Sequence, residues 1–282
     1  MMLFKRAIPL QKYLLESKKK GQTVGFVPTM GALHQGHLSL IQQSKSQNDI
    51  TVCSIFVNPT QFNDEGDLKR YPRTIEQDLY LLSQQGTDIV FLPTVEEVYP
   101  PDIDTAVDLD LGSLDKFMEG EHRPGHFSGV VQVVKRLLDI VIPNHIYMGQ
   151  KDYQQFCIIR YMVQQLALPT KVVRCDIIRE ANGLAMSSRN MLLAAAEKEI
   201  AATISKTLGT AKQSASKLPL STVKQQAMEQ LSTPPFQLDY FEIADQTTLQ
   251  PATNFNQPTV ACTAVFLGKV RLIDNILIDA VV

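Results

Sequence analysis

Val24-Gly25-Phe26-Val27-Pro28-Thr29-Met30-Gly31-Ala32-Leu33-His34-Gln35-Gly36-His37 begins as a short apolar run and breaks into a glycine-rich turn. Residues 24–29 read as a buried strand, and residues 36–47 read as the helix that follows it. The same alternation continues along the chain. Strands are expected at 50–57, 87–93, 145–149 and 171–178, and helices at 8–20, 74–85, 127–141 and 152–167. Apolar positions 127, 130, 131, 134, 137, 138 and 141 share one helical face. Thr74-Ile75-Glu76-Gln77 has capping-box spacing, and Lys18-Lys19-Lys20-Gly21 reads as a solvated helix end. Residues 93–104 are Pro-rich and read as a loop. Strand followed by helix, repeated, implies a parallel sheet with helices on both faces, a Rossmann-like α/β fold.

Beyond residue 178 the pattern changes. Helices at 195–214 and 220–231 precede three alternating strands at 236–245, 259–268 and 270–278, which suggests a smaller α+β domain. The expected division is therefore 1–178 and 179–282.

A length of 282 residues suits about two domains. With 44% hydrophobic and 20% charged residues, the composition is that of a packed globular chain. A formal charge of −2 supplies no basic excess to hold nucleic acid. The cysteines Cys53, Cys157, Cys175 and Cys262 form no C-x-x-C pair, and Cys53 and Cys157 read as small buried hydrophobes. No stretch reads as a signal peptide, and none approaches the ~18 apolar residues of a membrane span. A cytoplasmic protein without membrane or nucleic-acid partners is expected.

The turn Met30–His37 lies where an α/β sheet places its ligands, beyond a strand's carboxyl end and at a helix N-terminus with free N–H groups. Gly31 and Gly36 allow close backbone approach, and His34 and His37 can donate to phosphate oxygens. A shared zinc or a purely structural pair would also use histidines at this spacing, but no third metal ligand adjoins them. Asn58, Pro59, Gln61 and Phe62 follow the second strand and should reach the same sheet edge. Gln61 suits the hydroxyl and carboxylate groups of a small polar acid, or is a plain loop amide. Arg123 and His126 flank a Pro-Gly turn. Either they face substrate, or the arginine is solvated and the histidine caps the next helix. Lys151 follows Gly149 at a strand end, where a cation can neutralise charge building at phosphorus. Asp152 is a helix N-cap, a nucleotide or Mg²⁺ contact, or both. Ser187-Ser188-Arg189 offers groups suited to phosphate oxygens, though the same triplet also suits a surface loop.

Taken in order, P-T-M-G-A-L-H-x-G-H (28–37), S-I-F-V-N-P-x-Q-F (54–62), Y-P-R-T (71–74), R-P-G-H-F-x-G-V (123–130), G-x-K-D-Y-Q-Q (149–155) and M-S-S-R-N (186–190) resemble the pantothenate synthetases. This family belongs to the H-x-G-H nucleotidylyltransferases, related in fold to class I aminoacyl-tRNA synthetases. Residues 179–282 match mainly by length and pattern, and Gln150 departs from the Glu of many members. The resemblance implies condensation of (R)-pantoate with β-alanine to pantothenate, AMP and pyrophosphate through a pantoyl adenylate, with Mg²⁺ accompanying ATP. It implies catalytic roles for His34, His37 and Lys151, with His37 the residue most often credited as a proton donor. ATP would meet Met30, Gly31, Ala32, Leu33, His34, Gln35, Gly36, His37, Gly149, Gln150, Lys151, Asp152, Ile178, Met186, Ser187, Ser188 and Arg189. Pantoate would meet Gln61, Gln155 and Asn58, with β-alanine also near Gln61 and with Arg123 and His126 close to the substrates. The resemblance further implies a homodimer; the boundary near Ile178 and Gly183 as a flexible point lead to the expectation that 1–178 binds ATP and pantoate while 179–282 acts partly as a lid.

Two rivals stand beside this reading. A nucleotidylyltransferase acting on a phosphorylated acceptor should need cations where this chain has Gln61 and Gln155. A catalytically silent nucleotide-binding protein has no need of both histidines, Lys151 and Ser187-Ser188-Arg189 together.

Overall fold

The computed structural model describes residues 1–62 and 65–281. The chain divides into two compact units. The first comprises Met1–Asp110, Arg123–Gly149 and Gln155–Asp176; the second comprises Leu111–His122, Gln150–Gln154 and the chain from Ile177 onward.

The first unit is built on six strands: β1 (Met2–Phe4), β2 (Val24–Thr29), β3 (Ile50–Ile55), β4 (Ile89–Phe91), β5 (His145–Gly149) and β6 (Lys171–Cys175). All pair in parallel, in the order β1-β4-β3-β2-β5-β6. β3 is buried at every residue, as a strand covered on both faces must be. Val27, Ile41, Cys53, Leu82, Val90 and Tyr147 belong to one core cluster. Burial pushes the Cys53 thiol up to about 12, so it acts as the core hydrophobe expected of it. From β2 the chain steps outward through β3 and β4, then returns to lay β5 against the other side of β2. The order reverses between β2 and β5, and the carboxyl ends of these strands border the crevice where such sheets bind ligands.

Several local expectations change. β1 was not expected, because an edge strand of three residues is too short for a periodic signal. The helix Glu65–Arg70 was not expected either, and the loop over 93–104 contains the helix Val95–Val98. The first helix runs Ala7–Lys19, but its lysine end is not wholly solvated, since Lys18 Nζ donates to the Ile142 carbonyl. Thr74 does not cap the helix Ile75–Gln84 through its side chain. Its hydroxyl donates instead to Asp78 Oδ1 at 3.2 Å. Among the described residues, no helix is long and apolar enough to cross a membrane.

The second unit holds an antiparallel sheet of β7 (Phe236–Asp245), β8 (Thr259–Leu267) and β9 (Val270–Ile278), in that order. Leu208, Val223, Leu231, Phe241, Val265 and Leu272 belong to its core. The single helix expected over 195–214 is two, Ala195–Ala201 and Thr203–Ser214, parted at Ala202.

Two short stretches from within 1–178 group with the later part of the chain. Polar contacts explain why. Arg271 of β9 donates two bonds to Glu119, at 2.8 and 2.9 Å, and two to Asp239 Oδ2, at 2.7 and 2.9 Å. The Tyr240 hydroxyl donates to Glu119 at 3.0 Å. Gln154 Nε2 donates to the Leu114 and Phe117 carbonyls, while its Oε1 accepts from the Glu119 amide. Glu119 is buried, so its charge is tolerable only with this matched set of donors.

Candidate active site

The site-forming turn begins where β2 ends. Thr29 Oγ1 donates to the Ser54 carbonyl at 2.7 Å and accepts from the Gly31 amide at 3.2 Å. Gly31 has φ +82°, and a Cβ there would come within 3.0 Å of Asp78 Oδ2 and 3.1 Å of Ile55. Ala32 follows at φ +50°, an uncommon conformation for a residue with a side chain. Asp78 holds it there: Ala32 N donates to its Oδ2 at 3.0 Å and Leu33 N to its Oδ1 at 2.8 Å. Asp78 was not among the residues expected from sequence. An acid in the first turn of a helix reads as a dipole partner, and its loop partners lie 45 and 46 residues earlier.

His34 is the N-cap of the helix Gln35–Gln47. Its Nδ1 accepts from the Gly36 amide at 3.1 Å, and His37 Nδ1 accepts from the His34 amide at 3.3 Å. An imidazole nitrogen that accepts carries no proton, so both neutral rings hold theirs on Nε2. The ring centroids lie 4.1 Å apart. The capping box thus leaves two neighbouring imidazoles in the tautomer that donates through Nε2. Among the described residues no group of three His, Cys, Asp or Glu could hold a metal.

Past β3, Asn58 opens the short 3-10 turn Pro59–Gln61. It is 1% exposed and its amide is fully engaged. Oδ1 accepts from Thr60 and Tyr99, while Nδ2 donates to Gln61 Oε1 and the Gly129 carbonyl, both at 3.2 Å. Asn58 therefore holds Gln61 in place. Gln61 Nε2 faces Met30 Sδ at 3.4 Å, a weak acceptor that a ligand oxygen can replace. His126 is buried at the start of the helix His126–Val141, and its Nδ1 lies 2.9 Å from the Gln61 carbonyl. It does not cap that helix; Gly125, at φ +80°, is the N-cap. Gly129 on the same helix lets the turn approach, since a Cβ there would lie 2.4 Å from Thr60 O. Arg123 is half-buried, and its carbonyl accepts from the His126 amide. Gln155 is half-buried in the helix Tyr153–Gln165.

Gly149 ends β5 in the first unit, and the remaining expected residues belong to the second. Gln150, Lys151 and Asp152 form a 3-10 turn that runs directly into the helix Tyr153–Gln165, with Asp152 the residue before its first turn. Gln150 is buried, its Nε2 donates to Asn275 Oδ1 and its carbonyl accepts from Asn275 Nδ2. Ile178 accepts through its carbonyl from the Met186 amide at 3.0 Å, across the mouth of a small hairpin. Gly183, at φ +97°, sits in that hairpin's turn, where its amide donates to the Glu180 carbonyl. Ser187 Oγ accepts from the Arg189 amide and opens the 3-10 turn Ser188–Leu192.

The family model for pantoate-beta-alanine ligase matches residues 2–277. The chain belongs to the pantoate–β-alanine ligase family. It is an ATP-dependent carbon–nitrogen ligase joining pantoate to β-alanine. It is 48% identical to a pantothenate synthetase of Porphyromonas gingivalis, over 98% of this chain and 99% of that one. A pantothenate synthetase of Fervidobacterium nodosum is 47% identical over 94% of each chain. The crystal structure of pantothenate synthetase from Thermus thermophilus is similar with a TM-score of 0.91 and 38% identity, covering 98% of this chain and 99% of that one. The pantoate-beta-alanine ligase of Francisella tularensis, solved in complex with beta-gamma ATP and β-alanine, has a TM-score of 0.81 and 36% identity, over 98% and 97% of the two chains. Within this ligase, the first unit brings Met30, Gln61, Asn58 and His126 into one bonded cluster beside the His34–His37 turn. Asp78 and Gly129 complete it. Gly129 was already inside a recognised motif, whereas Asp78 was in none.

Proposed function

We propose that this ligase holds the phosphates of ATP at the Met30–His37 turn and joins pantoate to β-alanine through a pantoyl adenylate. The observation that carries the reading is the pair of imidazoles, each accepting a backbone N–H through Nδ1, at a helix N-terminus beside the switch point. A pantoate carboxylate oxygen attacks the α-phosphorus, the bond to the β-phosphate oxygen breaks, and pyrophosphate leaves. Imidazole donors and the Lys151 ammonium then stabilise charge on the phosphate oxygens. In the second step the uncharged amine of β-alanine attacks the acyl carbon, and AMP departs with the electrons of the C–O bond. Binding and orientation supply most of what the chain adds, together with shielding the mixed anhydride from water.

Mg²⁺ fits as the counter-ion of ATP. Such ions keep waters and phosphate oxygens and need only one or two carboxylates, and Asp152 stands next to Lys151 for that part. When bound, it neutralises phosphate charge. Ile178, Met186 and Ser187-Ser188-Arg189 complete the ATP contacts, with the second unit serving as a lid when the nucleotide is bound. A cytoplasmic setting is the reading of the cysteine pattern, and a homodimer rests on family resemblance.

The test is isotope exchange between pyrophosphate and ATP. Exchange should require pantoate and Mg²⁺ and proceed without β-alanine. A strict need for β-alanine would exclude a free-standing adenylate step.

Gln61 and Gln155 are assigned to the acid. Gln61→Ala and Gln155→Ala should each weaken pantoate binding by about 1–3 kcal/mol and leave ATP affinity nearly unchanged. Titration calorimetry with each substrate decides this, and equal losses for both substrates would reject the assignment.

A further inference from the structure

We propose that Asn275 and Asp274, adjacent on β9, are positioning residues that set the register of both ATP-facing segments of the second unit. The inference rests on the assignment of Lys151 and Arg189 to ATP. Along β9, Leu272 and Ile278 enter the core, with Val270 and Ile276 packed against it. Asp274 shares their face by alternation, while Asn275 shares the other face with Arg271. Both are nearly inaccessible, at 4% and 2% exposure. Buried polar groups in the middle of a strand need a reason, and each has a specific one.

Asn275 Nδ2 donates to the carbonyls of Gln150 at 2.9 Å and Lys151 at 2.8 Å, while its Oδ1 accepts from Gln150 Nε2 at 3.2 Å. A primary amide offers two donors and an acceptor from one short side chain, so no other residue of that length could make this set. Lys151 is thereby fixed through its backbone, while among the described residues nothing pairs with its ammonium. Asp274 accepts from Arg179 Nη1 at 2.6 Å and Nη2 at 3.1 Å, and Nη1 also donates to the Gly183 carbonyl at 3.2 Å. Arg179 pairs with Ala185 in the hairpin that leads directly into Met186 and Ser187. The Asn275 amide donates to Asp274 Oδ1 at 2.8 Å, which locks the two anchors together. One dipeptide thus fixes where Lys151 and the Ser187–Arg189 segment begin.

The experiment is a pair of double-mutant cycles read by pantoate-dependent ATP–pyrophosphate exchange. Misplacing a reacting group by about an ångström costs up to roughly 10²-fold, so Asn275→Ala should slow exchange by about 10–100-fold. Added to Lys151→Ala, it should cost no more than about twofold beyond that variant alone, since it acts through Lys151. Asp274→Asn should behave likewise with Arg189→Ala. Asn275→Asp keeps the side chain's volume but removes both donors, and should match Asn275→Ala in rate if the alanine variant folds poorly. Losses that multiply in the double variants would mean a general structural role and overturn the proposal, as would normal exchange in folded Asn275→Asp. Full activity in Lys151→Ala alone would instead overturn the reading of Lys151, and the proposal with it.

Discussion

Replacing Lys151 or His37 with alanine should slow pantothenate formation by roughly 10²–10³-fold, about 2.7–4 kcal/mol of transition-state stabilisation, if each donor resembles one arm of an oxyanion hole. For Lys151 the expectation follows from a backbone pinned by Asn275 and an ammonium left for a ligand. For His37 it follows from an Nδ1 committed to the His34 amide, which leaves Nε2 as the donor of the neutral ring. Both variants should melt near the parent, because neither side chain belongs to the apolar core. Steady-state rates with calorimetric melting separate chemistry from folding. A folded Lys151→Ala protein with near-parent turnover would remove this residue from the mechanism, and the same result for His37 would remove the tautomer argument.

Asp78→Ala should be the most damaging substitution in the first unit that touches no substrate. Its carboxylate is 1% exposed and accepts from Ala32 N, Leu33 N and the Thr74 hydroxyl. Losing it strands two buried amides, each at about 1–3 kcal/mol, around a turn that already holds Ala32 at positive φ. Stability should fall by roughly 2–5 kcal/mol, with a rise in the KM for ATP, because the turn that receives the phosphates relaxes. Asp78→Asn retains one acceptor oxygen and should lie between the two. Denaturant unfolding and substrate titrations test this together. A loss of stability with unchanged use of ATP would make Asp78 a fold residue only.

These two cases divide what the sequence reveals from what it hides. The βα units were readable because apolar runs and glycine-rich turns are local patterns, and β2, β5 and the helix His126–Val141 lie where periodicity put them. The residues near the site were readable because they stand in contiguous motifs. What escaped was pairing across long separations. Asp78 looks like an ordinary first-turn acid until the loop 45 residues before it is folded against it. Thr74 looks like a cap, but its hydroxyl finds that same carboxylate. Asn58 and Gln61 look alike in a motif, yet one is saturated and buried while the other is half-buried and its Nε2 meets a weakly accepting sulfur. Burial and hydrogen-bond saturation decide such roles, and neither is a property of a single stretch of chain.

The arrangement around β9 also bears on how the chain is made. Glu119 leaves the ribosome 152 residues before Arg271, and the Lys151 carbonyl appears 124 residues before the Asn275 side chain that donates to it. Domains of a nascent chain usually fold as units, the N-terminal one first. Here the stretches 111–122 and 150–154 emerge among first-unit segments but must wait for the last strand. During that interval an acid destined for burial has no guanidinium beside it, and two carbonyls lack their donor. Premature termination that removes β9 would therefore delete more than an edge strand. It would leave the middle of the polypeptide permanently unfinished, with an unpaired charge where the finished protein is dry.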